Sequence, residues 1–270
     1  MQVDTTGKIS LDHIYTQPDP RAYFGTLRGL GYIIPELAKP FFAGLIDEYR
    51  DAHRVRVPTV LDIGCSYGVN GALLRCDASM DDLYQRYAET QLGTDELLDR
   101  DRTWVGAREP ARGLRFIGLD ASSEALSYAL RAGFIDGAMH ADLEERDPTP
   151  HEHERLAGVD LVVSTGCIGY VTERTISRVV AAHGDRLPWM AHFVLRMFPF
   201  DPVTECLAAA GYETVRHEGV FRQRRFATSE EQTLVLDRLS DVGVDPGGLE
   251  TDGWFYAELF TSRPHGRDLP

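Results

Sequence analysis

The residues best suited to chemistry lie at four places, each at the end of an apolar run. The first is V-L-D-I-G-C-S-Y-G, Val60 to Gly68, where Asp62 precedes a turn of Gly64, Cys65, Ser66, Tyr67 and Gly68. Val69, Leu73 and Leu74 then begin a helical spacing. This segment is expected to be strand, tight turn and helix, with glycines where a ligand approaches the backbone. The second run, Leu114 to Leu119, ends at Asp120 and Ala121; the third, 137–141, carries His140 and ends at Asp142 and Leu143. The fourth, Val159 to Ser164, opens into Thr165-Gly166-Cys167-Ile168-Gly169-Tyr170. Carboxylates at strand ends accept hydrogen bonds from a ligand's hydroxyls and amines. A small-residue loop lets that ligand come near the chain.

The glycine turn matches two other motifs less well. A dinucleotide fingerprint wants G-x-G-x-x-G and an acid about 20 residues on, ending a second strand. Here Ser66 stands at the middle glycine, the spacing is Gly64, Gly68, Gly71, and no apolar strand precedes Asp81 and Asp82. Asp120, which does end a strand, lies far beyond that distance. Gly64-Cys65-Ser66-Tyr67-Gly68 also fits the G-x-S-x-G nucleophile elbow. That fold needs strands and an H-G-G-G-type loop upstream. The preceding residues look helical and contain no such loop, and His265 in the tail is a poor third triad member.

Composition narrows the partners. The 270 residues are 43% hydrophobic, enough for a substantial core, and carry a formal charge of −14. An acidic surface repels a phosphate backbone, so no nucleic-acid partner is expected. Cys65, Cys76, Cys167 and Cys206 form no C-x-x-C pair, which suits a reduced, cytoplasmic compartment. His151 and His153 look like an H-x-H metal pair but sit in an Asp/Glu/Pro-rich loop expected to be solvated surface, and no metal is assigned. With no leader-like N-terminus and no apolar run near about 18 residues, neither secretion nor membrane spanning is expected.

The elements that must position these residues alternate strand and helix, which argues an α/β fold: a doubly wound, mostly parallel, seven-stranded Rossmann-like sheet with an antiparallel edge. Helices are expected from Ser122, over Glu173 to Ala182 and over Asp201 to Ala210, and a fifth strand over Trp189 to Phe198. Tail strands are expected at Tyr212 to Arg216, Val220 to Phe226 and Trp254 to Thr261. Two regions fall outside this alternation. Ile14 to Arg50 is helical in spacing, aromatic, and punctuated by Pro18, Pro20, Pro35 and Pro40; Cys76 to Arg112 is polar and partly helical. Either can form a lid over the strand ends. The expected organisation is an N-terminal helical cap over 1–56 and a ligand-binding domain over 57–264. Insertions are expected at 76–113 and at 229–253, between the last two strands.

Taken together, residues 57–200 resemble the class I S-adenosylmethionine (SAM)-dependent methyltransferases, and the C-terminal strands do so loosely. V-L-D-I-G-C-S-Y-G is similar to that family's first motif, F-I-G-L-D to its second, H-A-D-L to its third and V-D-L-V-V-S-T-G-C-I-G-Y to its fourth. The resemblance implies SAM as cofactor. It places Gly64, Cys65, Ser66 and Gly68 beneath it, Asp62 at the methionine end, and Asp120 with Ala121 at the ribose. Asp142 and Leu143 would meet the adenine, and Ser164 and Thr165 would lie beside the cofactor. The family's third glycine is Ser66 here, and Tyr67 is bulkier than the usual threonine. The fourth motif lacks the N/D-P-P-Y/F loop of enzymes that methylate amide or exocyclic nitrogens, so a small-molecule acceptor is expected. Tyr170, His140 and Thr165 are the candidate bases or polar anchors. Tyr15, Tyr23 and Phe24 could offer aromatic faces to a sulfonium, at roughly 0.5–2 kcal/mol per contact. Two alternatives share the cofactor: release of methylthioadenosine by attack on the aminobutyrate chain, as in cyclisation to azetidine-2-carboxylate, and non-catalytic SAM binding. The oligomeric state is left open.

Overall fold

The computed structural model describes residues 8–88, 90–108 and 113–265. Residues 1–7 of the expected cap, and 89 and 109–112 of the expected insertion, lie outside them. The helical stretch from Ile14 divides into α1 (Asp12–Tyr15), α2 (Arg21–Gly29) and α3 (Ile34–His53). Pro18 and Pro20 lack the N–H that would carry a helix through, so α1 stops before them. Pro35 sits in the first turn of α3, where the missing donor has no helical partner to lose.

The sheet contains β1 (Thr59–Ile63), β2 (Arg115–Asp120), β3 (Gly137–His140), β4 (Leu161–Thr165), β5 (Trp189–Leu195), β6 (Tyr212–Arg216), β7 (Phe221–Arg225) and β8 (Trp254–Pro264). Its order is β3-β2-β1-β4-β5-β8-β6, with β7 also pairing to β8. β1 to β5 are parallel and β8 runs antiparallel to β5. This is the expected doubly wound α/β sheet. The sheet has eight strands rather than the expected seven, because its outer edge is shared: β6 takes the Phe260–Pro264 end of β8, while β7 takes its Trp254–Ala257 end. Val60, Leu61 and Ile63 of β1 are buried, as parallel strands covered on both faces must be. α3 covers one face through Ala38, Phe42, Ile46 and Tyr49, all in the main core.

Helices α4 (Val69–Arg75), α7 (Ser123–Ala132), α9 (Glu173–Ala181) and α10 (Asp201–Ala209) follow their strands. His151 and His153 fall on a further helix, α8 (Pro150–Ala157), rather than in a loop. Thr149 and Glu152 close its first turn as a capping box, a signature present in the sequence but unused. The insertion forms α5 (Met80–Tyr87) and α6 (Thr94–Arg108), and α11 (Ser229–Asp241) lies between β7 and β8. α5 braces α2: Phe24 stacks on Tyr87 at 4.7 Å, and the Tyr84 hydroxyl donates to Tyr32 O at 2.5 Å. Fully buried Asp101 of α6 accepts from the Tyr87 and Tyr128 hydroxyls and pairs with Arg86. Phe24 is therefore a core residue, and the insertion buttresses the cap from behind. Among the described residues, no helix is long and apolar enough to cross a membrane.

Candidate functional site

A cavity of about 430 Å³ opens at the carboxyl ends of β1, β2 and β4, within the size range of small-molecule sites. The turns after these strands contribute Gly64 and Ser66, Asp120 to Ser122, and Thr165 to Cys167 with Tyr170. The N-terminal strap closes it with Lys8, Ile9, Leu11, Asp12, Tyr15 and Thr16. Tyr23, Leu27 and Tyr32 of the cap, and Gln223 and Arg224 of β7, complete the wall.

The glycine turn owes its shape to neighbouring protein. Gly64 has φ +68°, and a Cβ there would stand 2.7 Å from the Cys167 Cβ. Gly68, at φ +77°, would bring a Cβ to 3.0 Å from Ala129 and Phe134. Ser66 also takes a left-handed conformation, φ +50°, a strain of about 1–3 kcal/mol for a residue with a side chain. Its backbone N–H donates to Asp120 Oδ2 at 2.8 Å, while Ser122 N–H donates to Oδ1 at 2.9 Å. Burial raises the Asp120 carboxyl above its ordinary range, and these amide donors pull against that rise. Cys65 turns away: its sulfur packs where a side chain on Gly118 would sit, and it belongs to the main core.

Asp62 is fully buried behind the turn. Asn70 Nδ2 donates to its Oδ1 at 3.0 Å and to Thr165 Oγ1 at 3.3 Å, tying the end of β1 to the end of β4. Asp62 Oδ2 and the cavity-lining Ser66 Oγ are buried without hydrogen-bond partners. Burial pushes the Asp62 carboxyl up to about 7, against the Asn70 hydrogen bond and with help from the Asp120 charge.

Tyr67 has a structural use for its bulk. Its buried hydroxyl faces three carbonyls of the strap: Gln17 at 2.9 Å, Ile14 at 3.1 Å and Tyr15 at 3.3 Å. Ser122 Oγ donates to Tyr15 O at 2.6 Å. The strap is thus fastened to the turns after β1 and β2. Its start is held by Glu231, whose Oε1 accepts the Ile9 N–H at 2.9 Å.

The other sequence candidates divide. Thr165, Tyr170, Ala121 and Tyr23 line the cavity. Tyr170 is at the rim, 44% exposed, with Lys8 Nζ 4.8 Å above its ring, rather than under the lid. Ser164 is fully buried and its Oγ meets His192 Nδ1 at 2.8 Å, inside the sheet. His140, Asp142 and Leu143 do not line the cavity. His140 Nε2 lies 3.0 Å from Ala121 O, the satisfied-histidine arrangement. Asp142 Oδ1 accepts from Glu144 and Glu145 N–H, a local turn. Leu143 is in the core.

Sequence reasoning missed Asn70, Tyr32, Ser122, Gln223, Arg224 and the strap before Tyr15. Only Ser122 carried a signal, as a helix cap, and it plays that part too. Among the described residues, no histidine lines the cavity. Burial raises the hydroxyls of Tyr15, to about 12, and of Tyr23 and Tyr32. They stay protonated at neutral pH, as hydrogen-bonding groups and aromatic faces rather than bases. Among the described residues, no cluster of His, Cys, Asp and Glu could hold a metal.

No family model matches the chain, and no curated protein does. Solved structures share its path distantly. A TehB-like SAM-dependent methyltransferase from Corynebacterium glutamicum is 16% identical, with 80% of this chain and 86% of that one covered and a TM-score of 0.40. Magnesium protoporphyrin IX methyltransferase from Synechocystis, with bound SAM, is 12% identical, covering 84% and 79%, at 0.39. A SAM-dependent methyltransferase from Geobacter sulfurreducens, in complex with S-adenosylhomocysteine, is 13% identical, covering 80% and 88%, at 0.36. Scores of this size carry no functional argument, which falls to the site's own residues.

Proposed function

We propose that the chain is a SAM-dependent methyltransferase acting on a small molecule. The observation that supports it most is Asp120, a strand-end carboxylate braced by Ser66 and Ser122 N–H groups and facing the cavity. The residues present fit the ribose and methionine parts of the cofactor. Asp120 keeps lone pairs for a ribose diol, and the unpartnered Ser66 Oγ and Asp62 Oδ2 suit the polar methionine end. Tyr15, Tyr23 and Tyr32 offer ring faces to a cation. Asp142 and Leu143, the adenine candidates, lie outside the cavity, so no cavity residue is assigned to the base. When bound, SAM supplies an electrophilic methyl on a positively charged sulfur.

The chain's own task is alignment and seclusion. The strap, pinned by Tyr67, forms one wall of the site and narrows its access. Tyr15, Tyr23 and Tyr32, held protonated by burial, act as hydrogen-bonding groups rather than bases, which suits an acceptor that attacks without losing a proton first, such as a neutral amine. Thr165 is placed as a polar anchor. Tyr170, at the rim, is assigned to acceptor entry.

The test is calorimetry with SAM and S-adenosylhomocysteine, followed by incubation with SAM in the presence and absence of a small-metabolite fraction. Acceptor-dependent S-adenosylhomocysteine is expected. Methylthioadenosine formed from SAM alone would replace methyl transfer with attack on the aminobutyrate chain. Binding without turnover would leave a non-catalytic SAM-binding protein, and no binding would end the proposal.

A further inference from the structure

The cavity wall furthest in sequence from the glycine turn contains an amide with an unmet acceptor. Gln223 is 5% exposed, lines the cavity, and its Oε1 is buried without a hydrogen-bond partner. A buried carbonyl oxygen left in that state has lost water without gaining a partner, which asks for a use.

Two further features are built around this side chain. The pairing of β7 with β8 shifts register between Arg222 and Arg225, a bulge. A regular strand would alternate its side chains, but here adjacent Gln223 and Arg224 are both buried, as a bulge allows by re-aiming a residue. Arg224 is absorbed by Glu231, with contacts at 2.7 and 3.0 Å. Gln223 is left to the cavity. Opposite it, Gly166 has φ +82°, and a Cβ there would stand 2.4 Å from Gln223 Nε2. The glycine after β4 therefore admits the amide into the cavity wall.

We infer that Gln223 is a specificity-determining residue that reads the methyl acceptor, selecting small molecules that present an uncharged N–H or O–H donor. This rests on the proposed cofactor site. The Gln223 oxygen takes a donor and repels a carboxylate. Of the two cations in the wall, Arg224 is already paired with Glu231 and Lys8 stands over the Tyr170 ring, while Asp12 and Asp120 add negative charge to the same wall, an arrangement that disfavours an anionic acceptor. Tyr15, Tyr23, Tyr32, Leu11 and Leu27 supply an apolar and aromatic surround for the body of such a molecule.

The experiment uses the full chain saturated with S-adenosylhomocysteine and probes of one shape: benzamide, benzyl alcohol and benzoate, titrated by calorimetry and saturation-transfer NMR. Benzamide and benzyl alcohol are expected to bind at least about tenfold more tightly than benzoate. Gln223→Met should remove that preference, while Gln223→Glu, which keeps an acceptor, should retain it. Both variants should bind S-adenosylhomocysteine as the parent does. Absence of probe binding, equal binding of benzoate, or an unchanged preference in Gln223→Met would overturn the inference. Failure of the parent to bind S-adenosylhomocysteine would instead overturn the cofactor site.

Discussion

Ser66 N–H donates to Asp120 Oδ2 at 2.8 Å, joining the turn after β1 to the last residue of β2. One carboxylate thereby holds a strained left-handed serine in place and presents its remaining lone pairs to the cavity. Binding surface and turn geometry depend on the same side chain.

Asp120→Ala is accordingly expected to weaken S-adenosylhomocysteine binding by roughly ten- to a hundredfold, the equivalent of about 1.5–3 kcal/mol for hydrogen bonds to a charged group. Calorimetric titration measures it. Asp120→Asn, which keeps one acceptor oxygen for a backbone N–H, should lose less. Parental affinity in the alanine variant would remove Asp120 from the site.

The Tyr67 hydroxyl has a different duty, fastening the strap at Ile14, Tyr15 and Gln17. Tyr67→Phe keeps the ring and removes the donor. Stability should fall by about 1 kcal/mol, with faster amide exchange across residues 9–17 and faster S-adenosylhomocysteine release. Hydrogen-exchange mass spectrometry and stopped-flow dissociation report the two effects. If exchange in the strap did not change, Tyr67 would not be its anchor.

Asp62 predicts a pH dependence with a definite sign. Burial pushes its carboxyl up to about 7, against about 3.9 in an unfolded chain. Between those values the folded protein holds a proton that the unfolded chain has released. Stability from this group is therefore fully present below about pH 3.9 and is lost as pH rises through about 7. Asp62→Asn should flatten the decline in denaturant-derived stability between about pH 4 and 7. A slope identical to the parent's would show that Asp62 ionises normally.

Much of the sheet was legible because buried parallel strands are written as short apolar runs with acids at their ends. Asp62, Asp120 and the Thr165 loop could be placed at one edge from their order alone. Helix α8 was not legible because its exposed, charged surface offers no apolar stripe, although Thr149 and Glu152 form a capping box. Gln223 was invisible for a physical reason: a bulge breaks the period-2 alternation by which a strand's inward face is recognised.

Local chemistry in the sequence was enough to determine the α/β alternation, the turn after β1 and the carboxylates that follow the strands, since each depends on neighbours a few residues apart. The tertiary structure alone decided which of those residues share a cavity. It joined Tyr67 to the strap, Ser66 to Asp120 and Gly166 to Gln223, set His140 against the Ala121 carbonyl after the neighbouring strand, and left Asp142 in a local turn. Such pairings depend on strand register and on close packing between elements far apart in the chain, and no local pattern encodes that distance.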